Sequence, residues 1–183
     1  MPKDLDNTAL IVIDVQQGFD DPAWGNRNNP ESEANVARLI EAWQRHKRPL
    51  VFVRHDSVLE TSPLRPGQPG NDFKPEVKGE PDLLVTKNVN SAFFGEPDLH
   101  AWLQERDIDT IAICGIQTNY CCESTARMAG NLGYETLFVL DATHTYDLTA
   151  ADGSEITADE LARVTAANLQ GEFADVVTTG DLT

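Results

Sequence analysis

Asp14, Lys87 and Cys121 are an acid, a base and a thiol, and each stands where an apolar run of the chain gives out. Brought to one place they form a coherent set. The carboxylate takes the thiol proton, the ammonium stabilises the anions, and the sulfur attacks. Cys121 lies in Gly115-Ile116-Gln117-Thr118-Asn119-Tyr120-Cys121-Cys122, where an apolar strand passes into a helix. The first amides of a helix lack internal partners and carry the positive end of its dipole, so a thiolate there is expected to be stabilised and its pKa lowered. Taken singly, an Asp at a strand end is also a common turn residue, and a Lys is also a common solvated charge. Their shared position raises the joint reading.

The three cysteines separate by context. Cys122, Ala126, Ala129 and Leu132 recur at the spacing of one helical stripe, with Cys121 about 100° away. Cys122 is therefore expected to pack, and so is Cys114 inside its apolar strand. Cys121 is left as the nucleophile.

The elements that would position these groups alternate. Strands are expected at Thr8–Asp14, Pro49–Arg54, Leu83–Lys87, Asp109–Cys114, Glu135–Asp141 and Ala174–Thr178, with helices at Glu31–His46, Asp98–Arg106, after Asn119, and at Ala158–Gln170. Nearly continuous apolar strands between amphipathic helices predict a three-layer α/β/α sandwich around a mostly parallel central sheet, Rossmann-like in architecture. In such sheets ligands bind beyond the carboxyl ends of the strands, the rim shared by Asp14, Lys87 and Cys121. Two segments break the rhythm. Residues 57–82 hold five of the prolines or lie among them, which predicts a lid or an interface arm. Residues 142–157 are polar and read as a loop.

Composition narrows the classes. The 183 residues fit one domain, expected to span residues 1–183. A formal charge of −16, from 30 acidic against 14 basic side chains, disfavours nucleic acid and membrane surfaces as partners. The longest apolar runs are far too short to span a bilayer, and Met1-Pro2-Lys3-Asp4 lacks the apolar segment of a signal peptide, so a cytoplasmic protein is expected. Three clustered cysteines without CxxC spacing read as reduced thiols. No strand is followed by a GxGxxG turn, which removes the dinucleotide-binding signature.

Val12-Ile13-Asp14-Val15-Gln16-Gln17-Gly18-Phe19, Thr86-Lys87 with Ser91-Ala92-Phe93, Cys114 through Cys121 with Thr125-Ala126, Gly133-Tyr134 and Asp141-Ala142 together resemble the isochorismatase-like cysteine hydrolase superfamily. The resemblance runs from the first strand to the last. It implies a catalytic triad of Asp14, Lys87 and Cys121, a cis peptide between Ile116 and Gln117, and an oxyanion site formed by the Gln117 and Cys121 amides. It also implies a homo-oligomer.

The family includes amidases of small amides and ureides as well as isochorismatases, which cleave a vinyl ether and typically lack a cysteine at this position. The thiol favours C–N hydrolysis of a small-molecule amide. Vinyl ether hydrolysis is the alternative, and a thiol switch made by Cys121 and Cys122 ranks last because vicinal cysteines close a disulfide only with strain. Nicotinamidases of the family hold a metal through an Asp and two His, the first two as Asp-x-His after the second strand. Here that stretch reads Arg54-His55-Asp56-Ser57 with no second His nearby, so no metal or other cofactor is expected. The pocket is expected to be lined by Phe19, Trp24, His55, Phe93, Tyr120 and His144, with Phe94 a further aromatic near the rim.

Overall fold

The computed structural model describes residues 5–183, so Met1–Asp4, where the lack of a leader segment was read, lie outside the described residues. The strands are β1 (Thr8–Ile13), β2 (Leu50–His55), β3 (Leu83–Lys87), β4 (Thr110–Ile116), β5 (Glu135–His144), a short hairpin of β6 (Leu148–Thr149) and β7 (Glu155–Ile156), and β8 (Asp175–Val177). Six of them form one sheet in the order β3-β2-β1-β4-β5-β8, and its strand pairs are all parallel. The helices are α1 (Ser32–His46), α2 (Leu99–Gln104), α3 (Glu123–Asn131) and α4 (Ala158–Leu169). The α/β/α sandwich expected from the alternating pattern is the architecture found.

The central strand explains the layering. Every residue of β1 is buried, because both faces of a parallel sheet are covered. Side chains alternate between the faces. Ala9, Ile11 and Ile13 pack with Leu99 and Leu103 of α2, Ala126 and Ala129 of α3 and Leu169 of α4. Leu10 and Val12 pack with Val36, Leu39, Ile40 and Trp43 of α1. The Trp43 indole N–H donates to the Thr8 carbonyl at 2.8 Å, so burying the ring strands no donor.

Two helix ends show local sequence logic. Thr157 caps α4 reciprocally with Glu160, a capping box that satisfies first-turn amides. Lys47 adopts a left-handed conformation at φ 55° beyond α1, where its amide bonds back to the last turn. The strand order reverses between β1 and β4, which makes the crevice beyond their carboxyl ends the switch point of the sheet. Backbone approach is closest at Gly115, with φ 130° and no room for a side chain: a Cβ there would lie 2.0 Å from the Ile13 carbonyl oxygen.

Several boundaries and faces differ from expectation. β5 runs to His144, three residues past Asp141, because the polar groups of this stretch find remote partners: Asn29 donates to the Asp141 and Thr143 carbonyls at 2.9 and 2.6 Å, and the Thr145 amide donates to Asn28 Oδ1 at 2.9 Å. Leu132, placed on the buried stripe of α3, is 41% exposed because the helix ends before it. The proline-rich segment is anchored across its length. Gln16 Nε2 donates to the carbonyls of His55 and Asn71, and the buried Asn71 side chain donates to the Leu64 carbonyl at 2.9 Å. Among the described residues, no helix is long and apolar enough to cross a membrane.

Candidate active site

The three ionisable groups arrive from three different elements. Asp14 is the first residue past β1 and has φ 52°, a left-handed conformation that Asp tolerates better than most residues. Its amide donates to the Val53 carbonyl at 2.9 Å. Lys87 ends β3, in register with His55 of β2. Two strand spacings separate β3 from β1, roughly 10 Å, and only a long side chain reaches across. Cys121 lies in a wide turn over Thr118–Cys122 that precedes α3, with the Cys122 amide donating to the Gln117 carbonyl five residues back. The Ile116–Gln117 peptide bond leading into this turn is cis.

Lys87 Nζ is the hub. It lies 2.6 Å from Asp14 Oδ2, 3.2 Å from His55 Nδ1 and 3.5 Å from Cys121 Sγ. Burial alone would lower the Lys87 pKa, but the charge of Asp14 and then of Cys121 outweighs it, and the ammonium is held protonated. Asp14 Oδ1 is buried and makes no hydrogen bond, so the carboxylate keeps one acceptor free beside the thiol.

Cys121 departs from the dipole expectation. Burial, and next the neighbouring Asp14 charge, push its pKa up, and Lys87 only partly opposes them. The helix proper begins at Glu123, and desolvation is the larger influence at Cys121. Cys114 and Cys122 are fully buried and likewise shifted up. Cys122 packs in the core below the sheet, as its stripe predicts, which leaves the vicinal pair poorly disposed for a redox switch.

A cavity of about 230 Å³ opens above these groups. Of the expected residues, Asp14, Cys121, Gln117, Phe19, Trp24, His55 and Tyr120 line it. The anchored 57–82 segment supplies Ser57, Leu59, Ser62 and Leu64, so this stretch forms a wall of the cavity in its own chain. Asn90 completes the lining, its Oδ1 3.8 Å from Cys121 Sγ. Asn90 and the segment's serines and leucines escaped sequence reasoning. The only signal for Asn90 was its position three residues beyond a strand end.

Phe93 and His144, expected in the pocket, are not part of its lining. Phe93 turns to the core and stacks on Tyr134, ring centroids 5.8 Å apart. His144 is fully buried, bonded to Ser32 Oγ at 2.9 Å and to the Tyr146 hydroxyl at 3.3 Å, its ring edge-on to that of Tyr146. Phe94 is 67% exposed and lines a different surface depression.

The donor set does not fit the nicotinamidase type of metal site. Asp56, beside His55, is engaged by Arg54 at 2.8 Å and by Asn71 at 3.0 Å, and Ser57 brings no imidazole. Among the described residues, Asp14, His55 and Cys121 do offer ligand atoms within 4.8 Å of one another. Lys87 Nζ touches all three, and its positive charge already stands where these donors converge.

The fold and this crevice define an α/β/α enzyme class that takes small ligands beyond its strand ends. The model of the isochorismatase domain matches residues 8–180, and the chain belongs to the isochorismatase family of hydrolases. It is similar to the crystal structure of a hydrolase of this family from Chromobacterium violaceum, with a TM-score of 0.94 and 40% identity, covering 100% of this chain and 94% of that one. An isochorismatase family protein of Bacillus subtilis, YrdC, is 35% identical over 95% of this chain and 93% of its own length. Nicotinamidase 3 of Arabidopsis thaliana is 30% identical over 92% of this chain and 83% of its own length.

Proposed function

We propose that the protein is a cysteine-dependent amidohydrolase that cleaves the C–N bond of a small amide or ureide through a covalent Cys121 intermediate. The observation that carries this reading is that Asp14, with one unpaired carboxylate oxygen, and Cys121 line a single cavity, with the buried Lys87 ammonium in contact with both.

With burial pushing the thiol pKa up, the cycle needs a base, and Asp14 Oδ1 supplies it. Asp14 takes the Sγ proton as the S–C bond forms at the substrate carbonyl, and the Gln117 and Cys121 amides receive the developing oxyanion. The C–N bond breaks as Asp14 passes that proton to the departing nitrogen, releasing ammonia or an amine. Water then adds to the thioester with Asp14 accepting its proton. The S–C bond breaks, the sulfur regains the proton, and the acid leaves. Lys87 stays an ammonium throughout, orienting Asp14 through its 2.6 Å contact and stabilising the transient thiolate. Similarity to a nicotinamidase supports an amide substrate, and the residues present support a route without a metal.

The test is ammonia or amine release from primary amides, ureides and lactam-like amides by the native protein and by Cys121→Ala. The substitution is expected to lower turnover at least about a thousandfold, and the covalent intermediate is expected by mass spectrometry of the native protein under substrate. Full turnover by Cys121→Ala would overturn the reading. So would pyruvate release from isochorismate that is indifferent to Cys121 alkylation.

A further inference from the structure

An anion drawn from water into a cavity needs a cation or several N–H donors waiting for it, otherwise its desolvation stays uncompensated. The lining of the cavity above Cys121 brings a substrate carboxylate no cation, and in the proposed cycle its Gln117 and Cys121 amides serve the oxyanion. Lys87 is the nearest cation, and its three N–H bonds are directed to Asp14, His55 and Cys121. An ammonium only donates, so His55 Nδ1 accepts, and the imidazole is neutral: burial and then the Lys87 charge lower its pKa.

Four cations on neighbouring segments have partners of their own, Arg65 donating to the Glu60 carbonyl at 3.1 Å. Arg54 binds Asp56 at 2.8 Å, Arg27 binds Glu33 at 2.6 Å, and Lys74 binds Asp20 and Glu33 at 2.6 and 2.8 Å. None of the four lines the cavity, and among its lining residues Asp14 is the one acidic or basic side chain besides the neutral His55. Lys87 balances Asp14 locally, and the net charge of −16 disfavours the approach of anions from solvent. Away from the sulfur the walls are apolar, through Phe19, Trp24, Leu59 and Leu64. At about 230 Å³ the cavity also falls below the roughly 300–1,000 Å³ of drug-sized sites.

We infer that this cavity selects electrically neutral amides or ureides bearing a compact apolar or aromatic group, and rejects amides that carry a carboxylate. The inference rests on the amidohydrolase reading and names the substrate class of that same site. It has a kinetic corollary: hydrolysis turns a neutral amide into an acid that ionises, and the field that admits the substrate expels the product.

Iodoacetamide and iodoacetate test the charge selection without knowledge of the substrate. They are nearly isosteric, both alkylate sulfur with loss of iodide, and they differ by one negative charge. Their rate ratio at Cys121 is measured in the native protein and after unfolding in urea. The native ratio is expected to favour iodoacetamide at least about tenfold more than the unfolded ratio, and equal ratios overturn the inference.

Benzamide is then compared with 4-carbamoylbenzoate by ammonia release. Preference for the carboxylated amide overturns the inference and leaves the hydrolase reading intact. No turnover of either, with the native alkylation ratio still raised, keeps the charge selection and removes the amidohydrolase reading. Leu59 is 66% exposed on the cavity wall, so Leu59→Arg adds a cation without burying one. It is expected to lower the native alkylation ratio about tenfold, and an unchanged ratio rejects charge as the discriminator.

Discussion

Lys87 Nζ and Asp14 Oδ2 lie 2.6 Å apart, and neither side chain exposes any surface to solvent. Such a pair adds little net stability, since desolvating both ions offsets their attraction. Its consequence is asymmetric: either ion without the other is costly. The pair therefore ties the fold to the charge state of the site.

Removing one partner makes this measurable. Lys87→Met leaves the Asp14 carboxylate buried without its cation and is expected to cost about 3–5 kcal/mol in urea denaturation. The double variant Asp14→Asn/Lys87→Met is expected to recover most of that loss. A double variant as unstable as the sum of its single changes would show that the two side chains are not energetically coupled.

Asp14→Asn separates the two effects of Asp14 on Cys121. The carboxylate raises the thiol pKa and, in the proposed cycle, accepts its proton. Neutralising it leaves Lys87 as the dominant charge near the sulfur, at 3.5 Å, so iodoacetamide is expected to alkylate Cys121 faster at pH 7. Turnover of an amide substrate is expected to fall by about 10²–10⁴-fold with loss of the base. Slower alkylation and slower turnover together would point to a disturbed site rather than a missing base. In the native protein Cys121 is expected to be modified alone, because Cys114 and Cys122 are fully buried while Cys121 lines the cavity.

The pH dependence of stability has a defined sign. Burial first, and then the Arg27 charge, lowers the His144 pKa from 6.5 to about 3. Between those values the unfolded chain binds a proton that the folded one refuses, so stability falls as pH drops from 6.5, by up to about 1.4 kcal/mol per pH unit. Glu33 acts in the same direction below its ordinary range: although burial pulls it up, Arg27 and Lys74 hold its carboxyl well below 4.5. His144→Asn is expected to flatten the dependence between pH 6.5 and 4.5, read from urea midpoints. Some slope persists, since the His55 pKa is also lowered. An unaltered slope would remove His144 from the account.

The residues most legible in the sequence were those whose placement depends on topology alone. Asp14, Lys87 and Cys121 each follow an apolar strand, and a parallel sheet sends all such ends to one rim. Less legible was anything that depends on how a turn leaves the strand. Phe93 and Trp24 both follow strand ends, yet one turns to Tyr134 and the core while the other turns to the cavity. Thr143-His144-Thr145 looked like loop because its polar atoms need partners from residues more than a hundred positions away. The expected direction of the Cys121 pKa shift differed for a related reason. A helix start is visible in sequence, but the burial that overrides its dipole is not.

Tyr146 offers the last test, of how the aromatic wall is held. Its hydroxyl donates to the Phe19 carbonyl at 2.5 Å, and its ring stacks on Trp24 with centroids 5.7 Å apart. Trp24 is fixed in turn by its indole N–H on the Gly18 carbonyl at 2.9 Å. Tyr146→Phe keeps the stack and removes both hydrogen bonds of the buried hydroxyl, to the Phe19 carbonyl and to His144 Nε2, each worth about 1 kcal/mol. Because Phe19 and Trp24 line the cavity away from the sulfur, loosening them is expected to raise KM about fivefold while kcat stays near the native value. A fall in kcat with KM unchanged would instead place Tyr146 in support of the Asp14, Lys87 and Cys121 geometry, and steady-state kinetics on any accepted amide distinguishes the two.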